Sequence, residues 1–110
     1  MESVLSIAQR NKVLLSMASL VNKGQTDLLR ANEKDRSGYD KNDLAMYDRL
    51  KVDEEKITGM VISLKQLADQ KDPVGIERFH FTHENGLEIY NKTASFGTIM
   101  IIYESRPDVT

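Results

Sequence analysis

The segment Phe96–Thr110, FGTIMIIYESRPDVT, decides how the rest of the chain is read. Its run Thr98–Tyr103 has the β-branched and aromatic make-up of a strand and carries no charge on either alternating face. That is the pattern of a strand buried on both sides of a sheet. Such a strand needs neighbours on both edges and cover on both faces, and the residues after it are too few to supply them. The expectation is that these residues belong to the front piece of something larger.

Upstream, the periodicity is helical. Val4, Ile7, Ala8, Leu14, Leu15, Ala18 and Val21 recur at three- and four-residue steps through residues 3–22, with Gln9, Arg10, Lys12 and Ser16 between them. Lys23-Gly24 is a stop, after which Thr26 or Asp27 can cap a second helix carrying Leu28, Leu29 and Ala31 and ending at Ser37-Gly38. Asn42 opens a short helix to Leu50 with Leu44, Tyr47 and Leu50 three apart. Asp53 caps a fourth, with Glu54 and Glu55 in the dipole-favoured first turn and an apolar face of Ile57, Met60, Val61, Leu64, Leu67 and Ala68. Glu54 and Glu55 could serve as an acid and base pair, but the capping role accounts for them without a cleft.

Asp72-Pro73-Val74-Gly75 ends the helical part, because proline cannot continue a helix and disfavours the helical conformation before it. Ile76–Thr82 and Leu87–Thr93 then alternate about a Glu84-Asn85-Gly86 turn, which predicts a hairpin.

Composition narrows the function. With a formal charge of -2 and its charges interspersed, the sequence shows no basic stripe for a nucleic acid, and no apolar run approaches a bilayer span. The opening MESVLSIAQR lacks the charge order of a signal peptide, so a cytoplasmic location is expected. Cysteine is absent, which excludes disulfides, thiolate metal sites and a cysteine nucleophile within these residues. His80 and His83 are three apart, but an extended strand points them to opposite faces and no third ligand is near, so no metal site is assigned.

The candidate site follows the last strand. In open α/β sheets ligands bind beyond the carboxyl ends of strands, where Glu104, Ser105 and Arg106 fall. Pro107 suits the first position of a helix, which would put Arg106 or Ser105 at an anion-favouring N-terminus. A guanidinium there can clamp a phosphate or carboxylate in two places; alternatively it meets Glu104 or solvent.

The octet Tyr103-Glu104-Ser105-Arg106-Pro107-Asp108-Val109-Thr110, preceded by Gly97 and an apolar strand, resembles the signature of the gamma-glutamyl phosphate reductases, a family of the aldehyde dehydrogenase superfamily. Arg30-Ala31-Asn32 with Asp35, Asp48-Arg49-Leu50, Asp72-Pro73-Val74-Gly75 and Gly86-Leu87 are similar to that family's N-terminal region, in the same order. Ser95, Ser105 and Asp108 depart from the usual Pro, Ala and Asn, and an acid at 108 puts anion binding by that position in doubt.

The resemblance implies an α/β, aldehyde dehydrogenase-like fold, of which this is the N-terminal part. About four helices would fill residues 1–75, a hairpin like the superfamily's oligomerisation arm 76–95, and the first strand and ligand loop of a nucleotide-binding sheet 96–110. It implies reduction of L-glutamyl 5-phosphate by NADPH to glutamate 5-semialdehyde in proline biosynthesis, through a cysteine lying beyond the matched region. Arg106 would meet the substrate or a developing oxyanion, and Tyr103, Glu104 and Ser105 the cofactor. The implied partners are a second copy through the hairpin and glutamate 5-kinase, and the fragment alone is expected to be inactive. The competing expectation is a stand-alone helical interaction module with a β-arm, in which the octet match is accidental.

Overall fold

The computed structural model describes residues 5–104, 106 and 109, and its elements run α1 (Ile7–Lys23), α2 (Gln25–Ser37), α3 (Leu44–Leu50), α4 (Glu54–Asp69), β1 (Glu77–Thr82) and β2 (Glu88–Lys92). The four expected helices and the hairpin are all present, with small changes at their ends.

Ser6 opens α1 through a reciprocal box: its Oγ accepts from the Gln9 backbone N–H, and the Gln9 side chain accepts from the Ser6 N–H. Gly24 closes α1 and opens α2 at once. Its N–H donates to the Leu20 carbonyl (2.8 Å) and its carbonyl accepts from the Leu28 N–H (2.9 Å). With the backbone nearly helical at this junction, α2 starts at Gln25 with no side-chain cap, so neither Thr26 nor Asp27 takes the capping role. A Cβ at position 24 would come within 3.1 Å of the Leu20 carbonyl oxygen, which makes glycine apt there.

Asp43, one residue later than expected, caps α3 by accepting from the Met46 N–H (3.2 Å), while the Asp40 carboxylate accepts from Asn42 N–H and shapes the turn before it. Asp53 caps α4 as expected, accepting from Lys56 N–H at 2.9 Å.

The main packing is α1 against α4. Ala18, Ile57, Val61 and Ala68 are the buried apolar residues among those described, with Ile57 at 1% exposure. Asn32 ties the middle of the chain together: its Nδ2 donates to the Leu50 carbonyl (2.8 Å) and its Oδ1 accepts from Val52 N–H (2.9 Å). One side chain on α2 thus satisfies two backbone groups between α3 and α4. Arg36 donates to the Tyr47 hydroxyl at 3.1 Å and lies over its ring, holding α2 to α3.

β1 and β2 pair antiparallel, with His80 opposite Tyr90 and Phe81 opposite Ile89. A bulge between Glu77 and Phe79, not anticipated from the alternation, shifts the register at the base. The loop closes through Gly86 N–H to the His83 carbonyl (2.9 Å), and Gly86 sits at φ 86°, where a side chain is disfavoured. Thr93 fastens the base, its Oγ1 accepting from Ile76 N–H (2.9 Å) and donating to the Pro73 carbonyl.

The expected strand Thr98–Tyr103 is not formed. These residues carry no regular secondary structure, and Ile99, Met100, Ile101 and Ile102 are 69 to 87% exposed. The reason is physical: a strand exists by pairing its backbone groups, and the described sheet contains only β1 and β2.

The whole is elongated, with a radius of gyration of 20.5 Å, where a compact domain of this length has about 13 Å. It exposes 9339 Å², against about 6,200 Å² for a compact monomer of its size.

Candidate functional site

Three of the four candidate site residues lie within the described residues: Tyr103, Glu104 and Arg106, with Ser105 outside them. All three are exposed. The Arg106 carbonyl accepts from Val109 N–H at 3.0 Å. Among the described residues the ion pairs are Arg10–Asp72 and Arg30–Asp27, so the Arg106 guanidinium is not drawn to Glu104. An exposed guanidinium in this state is chemically suited to an anion.

Val109 lines an apolar groove of about 410 Å³ together with Met17 and Val21 of α1 and Met60, Leu64 and Leu67 of α4. The apolar face expected for α4 supplies one wall of it. Its seat for a residue some 45 positions later was not legible in any local pattern. Lys56 stands at the rim, with its ammonium donating to the Lys51 carbonyl at 2.6 Å.

The loop before the hairpin is fixed at long range. Arg10 on α1 donates to the Asp72 carboxylate at 2.6 Å, and the same oxygen accepts from Val74 N–H at 3.1 Å. The Arg10 hydrogen bond, followed by that from Val74, holds the Asp72 carboxyl below its ordinary range. Sequence reasoning missed this pair because its members are 62 residues apart; Asp72-Pro73 signals only the local turn.

His80 and His83 are not brought together. His80 stacks on Tyr90 with ring centres 4.5 Å apart, while His83 lies in the loop, where its Nδ1 faces Asn85 N–H at 3.5 Å. The Tyr90 hydroxyl donates to Glu88 (2.7 Å), and this bond to a carboxylate raises the phenol's pKa. Among the described residues no three His, Cys, Asp or Glu gather as a metal site, and no helix is long and apolar enough to cross a membrane.

In fold, the chain is similar to the crystal structure of a gamma-glutamyl phosphate reductase from Thermotoga maritima, with a TM-score of 0.62 and 24% identity over 78% of this chain and 21% of that one. The arrangement is thus an α/β one found within a larger protein. In sequence, the chain is 41% identical over 108 residues to the gamma-glutamyl phosphate reductase of Leptospira interrogans serovar Lai, covering 96% of this chain and 26% of the relative. It is 41% identical over 110 residues to the reductase of Sulfurimonas denitrificans, covering 98% of this chain and 27% of that enzyme. No family model matches the chain. The sequence is therefore similar to gamma-glutamyl phosphate reductases along nearly all of its own length, and spans about a quarter of the length of these relatives. The match of the final octet is not an isolated accident.

Proposed function

We propose that the chain is the N-terminal part of an NADPH-dependent oxidoreductase that converts L-glutamyl 5-phosphate to glutamate 5-semialdehyde in proline biosynthesis. The observation that carries this reading is identity near 40% to relatives named for that activity, running through 96% of the chain. The fold would be aldehyde dehydrogenase-like, with residues 1–75 helical, 76–95 an oligomerisation arm, and 96–110 entering a nucleotide-binding sheet. A cytoplasmic enzyme, self-associating through the arm and working beside glutamate 5-kinase, fits this assignment.

The residues after Tyr103 are chemically suited to the ligands such an enzyme handles. Arg106 is exposed, with no ion pair to a described residue, and supplies a planar fork matched to an acyl phosphate or a developing oxyanion. Tyr103, Glu104 and Ser105 would border NADPH, which when bound supplies the hydride. A cysteine nucleophile would have to come from outside these residues, since they contain none.

The 110 residues alone are expected to show no NADPH-dependent reduction of glutamyl phosphate. Joined to the part of the Leptospira enzyme that they do not match, they are expected to restore it. In that joined protein Arg106→Ala should lower kcat/KM by about a hundredfold or more, with partial rescue by Lys. An inactive but folded joined protein would overturn the assignment.

A further inference from the structure

We infer that Arg10 and Asp72 form an ionic pin that sets the direction of the β1–β2 hairpin against the helices, and that the hairpin swings as a rigid arm about residues 70–72 once the pin is withdrawn. This goes beyond the proposed function and involves no substrate.

The arm is rigid from its base. Thr93 N–H donates to the Ile76 carbonyl (2.9 Å), and the Thr93 carbonyl accepts from Gly75 N–H (3.0 Å). Its Oγ1 accepts from Ile76 N–H and donates to the Pro73 carbonyl. Gly75 turns the corner between them at φ 77°, a conformation that favours glycine. Residues 73–93 are thereby one hydrogen-bonded unit. On the other side α4 ends at Asp69, and Gln70 is already extended, with ψ 149°. The joint is short, and Pro73 restricts Asp72 within it.

The helices give the arm little cover. Every residue of β1 is exposed, and in β2 only Ile89 is half-buried. Across the joint, Arg10 of α1 donates from Nη2 to Asp72 Oδ1 at 2.6 Å, whereas the other ion pair among the described residues, Arg30–Asp27, lies within α2. The Arg10 and Asp72 side chains are 30 and 35% exposed, so salt screens them less than a fully solvated pair. The same Oδ1 accepts from Val74 N–H, which passes the hold of Arg10 straight to the backbone of the arm. Arg10 holds from a fixed point, because its Nε is enclosed by protein. Such a pair adds little to global stability, yet it can decide an orientation for which few packed contacts compete. What it aims is a hairpin with two unlike faces, Phe79 stacked with Phe81 on one and His80 on Tyr90 on the other.

Paired spin labels on the 110-residue chain test this, since the chain has no cysteine of its own to take a label. Ser16→Cys on α1 with Glu84→Cys in the hairpin turn reports the arm, and Ser16→Cys with Lys65→Cys on α4 reports the helices; all three positions are exposed. Pulsed electron paramagnetic resonance should give one narrow distance distribution for the arm pair in the parent. Arg10→Gln should broaden it about twofold or more. Asp72→Asn should do the same, although its amide oxygen can still accept from Val74 N–H, which separates the charge from the local turn. Arg10→Lys keeps a charge and a donor for the single contact and should stay close to the parent. The helix pair should remain narrow in every variant. A broad arm distribution in the parent, Gln and Asn variants as narrow as the parent, or a Lys variant as broad as Gln would overturn the inference. So would broadening of the helix pair, because Arg10 and Asp72 would then support the helices instead of aiming the hairpin.

Discussion

The helical stretch from Ser6 to Asp69 and the stretch from Gly75 to Tyr103 obey different rules. In the first, backbone groups are satisfied within a few residues, and the remaining chain ends are met by caps at Ser6, Asp43 and Asp53 and by Asn32. In the second, the described strand pairing is that of β1 with β2, and Phe79, Phe81, Leu87, Ile99 and Ile101 stand 46 to 69% exposed. A helix completes its hydrogen bonds alone, whereas a strand borrows a neighbour's. This chain therefore shows its helices in final form and its last expected strand without regular secondary structure.

The contrast is most easily broken at Ile57, the most completely buried large side chain described. Ile57→Ala should cost about 2 to 5 kcal/mol and melt α1 and α4 together in thermal circular dichroism. An unchanged melting curve would mean that the helical half does not depend on this contact. Next in size is Asn32→Ala, which leaves the Leu50 carbonyl and the Val52 N–H unpaired and should cost about 1 to 3 kcal/mol by urea denaturation. Asp53→Ala should cost about 1 kcal/mol by loss of the α4 cap, with Asp53→Asn recovering most of it.

A smaller effect is expected from pH. The Asp72 carboxyl is held below its ordinary value of 3.8 in the folded chain. Its contribution to stability is therefore fully present above that value and is lost as pH falls through the depressed one. Arg10→Gln should move the Asp72 titration back up, as followed by carboxyl carbon NMR; a titration indifferent to Arg10 would remove this tether from the picture. The sharpest test has the smallest expected effect: Ile101→Ala should leave the melting of the isolated chain within about 0.5 kcal/mol of the parent, because the side chain it truncates is 69% exposed. A substantial loss would show that the segment already packs on the helices.

Elements with local causes were the ones legible in the sequence. The apolar steps of α4 with Asp53 before them, the Gly38 stop and the Glu84-Asn85-Gly86 turn each name a structure that a few neighbouring residues complete. Less was legible wherever a partner is distant. Nothing around Arg10 announces Asp72, and nothing in Asn32 beyond its presence in a helix announces two backbone partners near Leu50. The candidate site divides the same way. The residue types Tyr103, Glu104 and Arg106 could be read directly, while the place of Val109 beside the α1 and α4 groove could not.

The sequence by itself determined the helices, the hairpin and the kinship with the reductases, because caps, periodicity and turn residues act over three or four positions and identity is a property of the string. Only the tertiary structure decided that α1 lies on α4, that α2 is clamped through Asn32, and that Thr98–Tyr103 carries no regular secondary structure. These outcomes depend on which groups meet across tens of residues, and a strand-forming composition becomes a strand only when another backbone offers its hydrogen bonds.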